Sequence, residues 1–114
     1  MSTQKTEHRS QCPIARSLDL FGDKWTLVIM RDVLFFKRRT YGEFSRSGEH
    51  IPTNLLADRL KRLVANGILE QVPYQDRPPR YRYEPTEKGR ALKPVLQAMA
   101  RFGENHLEGR RSER

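Results

Sequence analysis

The sequence predicts a mainly α domain carrying one small β-hairpin (α+β), and three observations predict it. Between Ile51 and Glu70, the residues Leu56, Leu60, Leu63 and Val64 recur at helical spacing and share one face. Pro52 or Thr53 can open that helix, and Asn66-Gly67 can close it. Upstream, Thr40-Tyr-Gly-Glu43 reads as a capping box that starts a short helix, and Ser47-Gly48-Glu49-His50 reads as a turn. Downstream, residues 68–74 and 80–84 read as strands joined by Gln75-Asp-Arg-Pro-Pro79. A short helix, a turn, a longer helix and a hairpin in direct succession are the plan of a winged helix-turn-helix.

Length and composition fit that plan. The chain has 114 residues, which suits one domain with one modest core. With 36% hydrophobic and 32% charged residues, little surface is available for burial within one copy, so an oligomer that shares a core is expected. Lys and Arg outnumber Asp and Glu by 22 to 14, giving a net charge of +8 and a pI near 10.1. Such a balance points to a polyanionic partner, nucleic acid above all, against the plainer reading of a solvated basic surface. The single cysteine, Cys12, rules out an intramolecular disulfide framework and fits a reducing compartment. No apolar run approaches the roughly 20 residues of a membrane span. The first residues lack the apolar stretch of a secretion signal, so a cytoplasmic protein with no membrane association is expected.

The elements follow in order. Residues 1–11 are polar and without periodicity, and are expected to form a flexible arm before a domain spanning 12–108. Pro13 opens a helix to about Phe21, with Ile14, Leu18 and Phe21 on one side and Gly22 as its stop. Asp23 suits the N-cap of a second helix, residues 24–36. Apolar residues on more than one face make that helix the expected centre of the core. Lys37-Arg38-Arg39 forms a basic linker to the capping box. The hairpin, about 74–83 as a wing, alternates so that Tyr81 and Tyr83 share one face and Arg80, Arg82 and Glu84 the other, with Arg77 near the tip. Thr86 caps a last helix expected from Glu87 to about Leu107, striped by Leu92, Val95, Leu96, Met99 and Phe102. Together with Ile14 and Leu18, that stripe is expected to form a homodimer through the N- and C-terminal helices, the plainer alternative being that it folds back on its own core. Residues 109–114 are a polar tail.

Several of these pieces together resemble the HxlR-type regulators, bacterial winged-helix transcription factors related to the MarR group. The matching pieces are Cys12-Pro13, Leu18-Asp-Leu-Phe-Gly-Asp-Lys-Trp25 and Tyr41-Gly-Glu-Phe44. They continue through Ile51-Pro-Thr-Asn-Leu-Leu-Ala-Asp-Arg-Leu-Lys-Arg-Leu63, Asn66-Gly-Ile-Leu69 and Pro79-Arg-Tyr-Arg-Tyr-Glu-Pro-Thr-Glu-Lys-Gly89. They cover roughly residues 12 to 104, in order. The resemblance implies a homodimer that binds a double-stranded DNA operator and represses or activates nearby genes, with repression expected here. It also implies a small-molecule or redox effector, since some members resemble sensors of electrophiles or oxidants through a cysteine at the position of Cys12.

The residues themselves support a matching site. The helix at about 53–66 would enter the major groove with Thr53, Asn54, Lys61 and Arg62 outward, because Asn suits adenine edges and Lys and Arg suit guanine edges or phosphates. Thr40 joins this set at the start of the short helix. Asp58 shares the outward face, where it either accepts from a cytosine amine or orients Arg62 four residues on, the second being preferred. Arg59 lies nearer the apolar side and reads as structural. Arg77, Arg80 and Arg82 on the hairpin suit phosphates or a minor groove, against the alternative of a solvated hairpin with its tyrosines packed inward. Cys12, ahead of Pro13 at a helix N-terminus, is either a reactive thiol or a small apolar residue packed under a dimer interface. Trp25 reads as core.

His8, His50 and His106 are scattered without ligand-spaced partners, so no metal is expected. No cofactor motif or nucleophile–base pair stands out, so an enzyme is not expected. Two other functions stay open, a winged-helix module that meets protein and a non-specific basic nucleic-acid binder.

Overall fold

The computed structural model of the protein describes residues 10–107. Six helices and one hairpin follow in the order α1 (Pro13–Phe21), α2 (Thr26–Phe35), α3 (Tyr41–Ser45), α4 (Thr53–Ala65), β1 (Leu69–Gln75), β2 (Arg80–Pro85), α5 (Glu87–Arg90) and α6 (Lys93–His106). The fold is the expected winged helix-turn-helix, mainly α with one two-stranded antiparallel sheet. The expected tail and all but the last two residues of the expected arm lie outside the described residues.

Helix α2 runs through the centre, as its all-round apolar pattern predicts. Ile29, Met30 and Val33 are fully buried, and around them pack Phe44 of α3, Leu56, Leu60 and Leu63 of α4, Ile68, Leu69 and Leu92. The helix proper begins at Thr26, two residues later than expected. The Asp23 carboxylate accepts from the backbone N–H groups of Trp25 at 3.0 Å and Thr26 at 3.1 Å, and this holds residues 23–25 in a turn ahead of the helix. One buried charge was not foreseen. Asp32, 0% exposed, accepts at Oδ1 from Arg31 Nη2 at 2.8 Å and Arg38 Nη1 at 3.0 Å. Arg38 of the basic linker is therefore an ion-pair partner of α2.

The capping box forms as predicted. Glu43 N–H donates to Thr40 Oγ1 at 3.2 Å, and Glu43 Oε1 accepts from Thr40 N–H at 3.2 Å and Arg39 N–H at 2.7 Å. Those two backbone N–H groups, together with the charges of Arg46 and Arg38, lower the Glu43 carboxyl against the opposing effect of its burial. Helix α4 ends in a Schellman motif: Gly67 takes φ 74°, its N–H bonds to Val64 O at 3.0 Å and Ile68 N–H bonds to Leu63 O at 2.9 Å. Its start is less regular. Pro52 occupies the cap position and offers no side-chain hydrogen bond, so the hydroxyl of Thr53 does not serve as a cap.

The predicted last helix is two helices. Pro94 cannot donate to the carbonyl of Arg90, so the chain turns at Ala91-Leu92 and restarts as α6. Thr86 caps α5 as expected, accepting from Gly89 N–H at 3.0 Å. The hairpin is pinned to the helical body. Tyr83 N–H donates to Arg39 O at 2.8 Å, Thr86 N–H donates to Ile68 O at 3.1 Å, and the Tyr83 ring stands 6.2 Å from that of Phe44. Pro73 pairs with Tyr81 and Gln75 with Arg80, so Tyr74 is the extra residue of a β-bulge.

Candidate nucleic-acid interface

Helix α4 has two faces because its leucines recur at helical spacing. Leu56, Leu60 and Leu63 are buried, whereas Thr53, Asn54, Ala57, Asp58, Lys61 and Arg62 are exposed. The rotation of the helix is set by two contacts from other elements. Arg59 Nε donates to Asp23 Oδ2 at 2.9 Å, and the Tyr41 hydroxyl donates to the carbonyl of Thr53 at 3.2 Å. Burial works to raise the Asp23 carboxyl. Hydrogen bonds from the Thr26 hydroxyl, Arg59 and the Trp25 and Thr26 backbone outweigh it and hold the group well below the usual carboxylate range. The hydrogen bond to Asp23 in turn raises Arg59, against its own burial.

The side chains of Lys61 and Arg62 make no hydrogen bond or ion pair among the described residues, nor do those of Arg77 and Arg80 on the hairpin. These four cations are available to an external partner. The other predicted site residues are differently placed. Asp58 pairs with Arg59 rather than orienting Arg62, because Arg59 reaches along the helix toward Asp23 and passes the Asp58 carboxylate. Thr40 is half-buried, with its hydroxyl committed to the α3 cap. Arg82 Nε donates to Glu84 Oε2 at 3.0 Å, and Glu84 Oε1 accepts from Arg39 Nε at 3.1 Å. Arg82 thus braces the hairpin against the linker before α3. Tyr41, Asp23 and the pairing role of Arg59 were not among the predicted site residues. Their contacts cross 12 and 36 residues of sequence, and no local pattern marks them.

Away from this face, Ile14 is 72% exposed, Phe102 59% and Met99 51%; Leu18 and Val95 are also exposed. Leu92 is instead part of the chain's own core, and Leu96 packs against that core half-buried. The early end of α5 brings Leu92 inward, so neither is free for a partner in the way the continuous stripe suggested. Cys12 is an exposed free cysteine at the cap position of α1. Its backbone N–H donates to Ser10 Oγ at 3.0 Å. Among the described residues no cluster of His, Cys, Asp and Glu could hold a metal ion. No helix there is long and apolar enough to cross a membrane.

An exposed polar helix face carried by a helix-turn-helix and flanked by an arginine-bearing hairpin defines the winged-helix DNA-binding regulators. The family description HxlR-like helix-turn-helix matches residues 20–111, and the chain belongs to that family. The HTH-type transcriptional regulator Rv3095 of Mycobacterium tuberculosis, itself uncharacterized, is 35% identical over 94% of this chain and 67% of its own length. Among solved structures, the redox regulator HypR in its oxidized form superimposes with a TM-score of 0.75 at 31% identity, over 86% of this chain and 100% of that one. The reduced form of the transcriptional regulator YodB from B. subtilis gives a TM-score of 0.69 at 32% identity, over 87% of this chain and 97% of that one. The chain is thus a DNA-binding regulator by family and by fold.

Proposed function

We propose that the protein is a homodimeric, sequence-specific transcriptional regulator that reads its operator with α4 in the major groove and sets the hairpin on flanking DNA. The observation that carries this reading is the outward row Thr53, Asn54, Lys61 and Arg62, on a helix whose other face is buried in the core. Base edges are met by Asn54 in the first turn, and phosphates by Arg77 and Arg80. Asp58 sits at the rim paired with Arg59, while Thr40 and Arg82 position the elements that make contact. Ile14, Leu18, Val95, Met99 and Phe102 supply the dimer surface, and two α4 helices related by a two-fold axis then meet successive half-sites. Bound across a promoter, such a dimer blocks polymerase, so repression is the sign of regulation we propose. Selection of bound genomic fragments, followed by mobility shifts against random DNA of the same length, tests the reading. Equal affinity for the selected and random fragments would reduce the protein to a non-specific binder, and no shift at all would leave a protein-binding module.

A thiol response is the second part of the proposal. Cys12 is exposed, and the similar protein YodB has been crystallised after diamide treatment. With one cysteine per chain, the oxidised product is either a disulfide between subunits or a mixed disulfide with a small thiol. Diamide treatment is expected to weaken operator binding by the wild type and to leave Cys12→Ser unchanged. An identical response from both proteins would remove Cys12 from this role.

A further inference from the structure

Arg80, Arg82 and Glu84 alternate along β2 and share one face of the strand. The side chain of Arg80 makes no hydrogen bond or ion pair among the described residues, whereas Arg82 Nε donates to Glu84 Oε2 at 3.0 Å. The other carboxylate oxygen, Oε1, accepts from Arg39 Nε at 3.1 Å. Arg39 is itself fixed, because its Nη1 donates to Val33 O of α2 at 2.7 Å and to Arg38 O of the linker at 3.1 Å. Glu84 is therefore held from the helical body, and in turn it holds Arg82. Its place in the sheet is an unfavourable one. The residue paired with it across the hairpin is Glu70, and like charges directly opposite one another destabilise a strand pair. A local conflict of this kind in an otherwise consistent hairpin marks a functional position. The side chains of Arg82 and Glu84 are 44% and 32% exposed, so the pair faces whatever the hairpin meets.

Resting on the DNA-binding role proposed above, we infer that Glu84 is a specificity-determining residue, which withholds Arg82 from DNA phosphate and so limits sequence-independent binding. Phosphate is present on every sequence, so each free arginine on the hairpin adds affinity without adding discrimination. Arg77 and Arg80 are free in this sense. Arg82 is engaged by a carboxylate whose own charge repels the phosphate that would replace it. The exchange gains little, since one partly exposed ion pair is traded for another. On random DNA the hairpin settles wherever its cations meet the most phosphate. On the operator, α4 fixes where the hairpin lands, so a freed Arg82 gains less there. The carboxylate thus lowers the random background more than it lowers the specific complex.

Mobility-shift titrations of the full chain at several salt concentrations test this, on a duplex of random sequence and on a selected genomic fragment. Glu84→Gln keeps the shape and one acceptor toward Arg39, but it turns an amide toward Arg82 and frees that side chain. The variant is expected to bind the random duplex about twofold to fivefold more tightly than the wild type, the scale of one exposed ion pair. The slope of log K against log salt should steepen by about 0.9, for one added phosphate contact. Affinity for the selected fragment should rise less. In an Arg82→Gln background the same change at Glu84 should bring no steeper slope, which separates a freed cation from the mere loss of a negative charge. Thermal melts verify that each variant is folded. An unchanged slope on the random duplex, a steeper slope that persists in the Arg82→Gln background, or an equal gain on both duplexes overturns the inference. If the wild type discriminates between the duplexes and any of these holds, the regulator reading stands without it. A wild type that binds both duplexes equally removes both.

Discussion

Arg59 Nε donates to Asp23 Oδ2 at 2.9 Å across 36 residues of sequence, and the same oxygen accepts the backbone N–H groups of Trp25 and Thr26. One carboxylate therefore closes the turn before α2 and fixes the rotation of α4. The error to which an amphipathic helix is most exposed, a turn about its own axis, is opposed at this point. Asp23→Asn is expected to cost about 1.5–3 kcal/mol of stability, the range for a hydrogen bond to a charged group. The sign with pH follows from the depressed carboxyl. Its stabilisation is fully present above the unfolded value near pH 4 and is lost as pH falls through the lower folded value. Denaturant melts of the two proteins should thus differ most near pH 7 and converge in acid. A gap that stays constant down to pH 2 would show that charge at Asp23 is not what stabilises.

On the proposed function, Asn54 and Arg80 should separate reading from holding. Asn54 stands exposed in the first turn of α4, so Asn54→Ala should lower specific affinity by about 1–3 kcal/mol and leave random DNA nearly unaffected. Arg80→Ala should weaken both alike and reduce the slope of log K against log salt by about 1. Titrations at several salt concentrations check both. Equal losses on both DNAs for Asn54→Ala would sink its base-reading role.

Gly89 ties α5 to the end of α4. It is buried, and a Cβ there would fall well inside contact distance of the Ile68 carbonyl oxygen. The Thr86 hydroxyl, which accepts from Gly89 N–H, itself donates to Gly67 O at 2.6 Å. Gly89→Ala is expected to destabilise by about 1–3 kcal/mol through overpacking, read as a lowered denaturation midpoint with unchanged slope. A midpoint within error of the wild type would mean that the backbone there yields freely.

Local signals were legible and distant pairings were not. The spacing of Leu56, Leu60 and Leu63 identified the faces of α4, and Thr40 with Glu43 identified the start of α3, because each pattern closes within one or two helical turns. Pro94 was also a local signal, but an apolar stripe running across it carried the reading past the break. The partners of Asp23, Asp32, Arg59 and Arg82 could not be read at all. Asp23 was read as a cap but not as the partner of Arg59 on α4, and for the others several opposite charges are near in sequence, so that only packing chooses between them. The bulge at Tyr74 escaped for a related reason: register belongs to two strands at once, and alternation along one of them is silent about it.

The apolar faces of α1 and α6 lead to the last prediction. Ile14, Met99 and Phe102 are each more than half exposed, and a basic domain of this size gains nothing by leaving such side chains in water. Burying two or three of them per subunit contributes roughly 1.5–3 kcal/mol each, before the cost of ordering two chains into one assembly. A carboxylate placed at the centre of that surface must be desolvated without a partner. Met99→Glu is therefore expected to shift sedimentation equilibrium from dimer to monomer, while the far-ultraviolet spectrum, which reports helices closed within each chain, stays the same. Operator affinity should fall with it, because one α4 then meets one half-site alone, whereas random DNA, held by phosphate contacts, should lose far less. A Met99→Glu protein that remains dimeric at micromolar concentration would place the interface elsewhere and return α6 to the role of a solvated terminal helix.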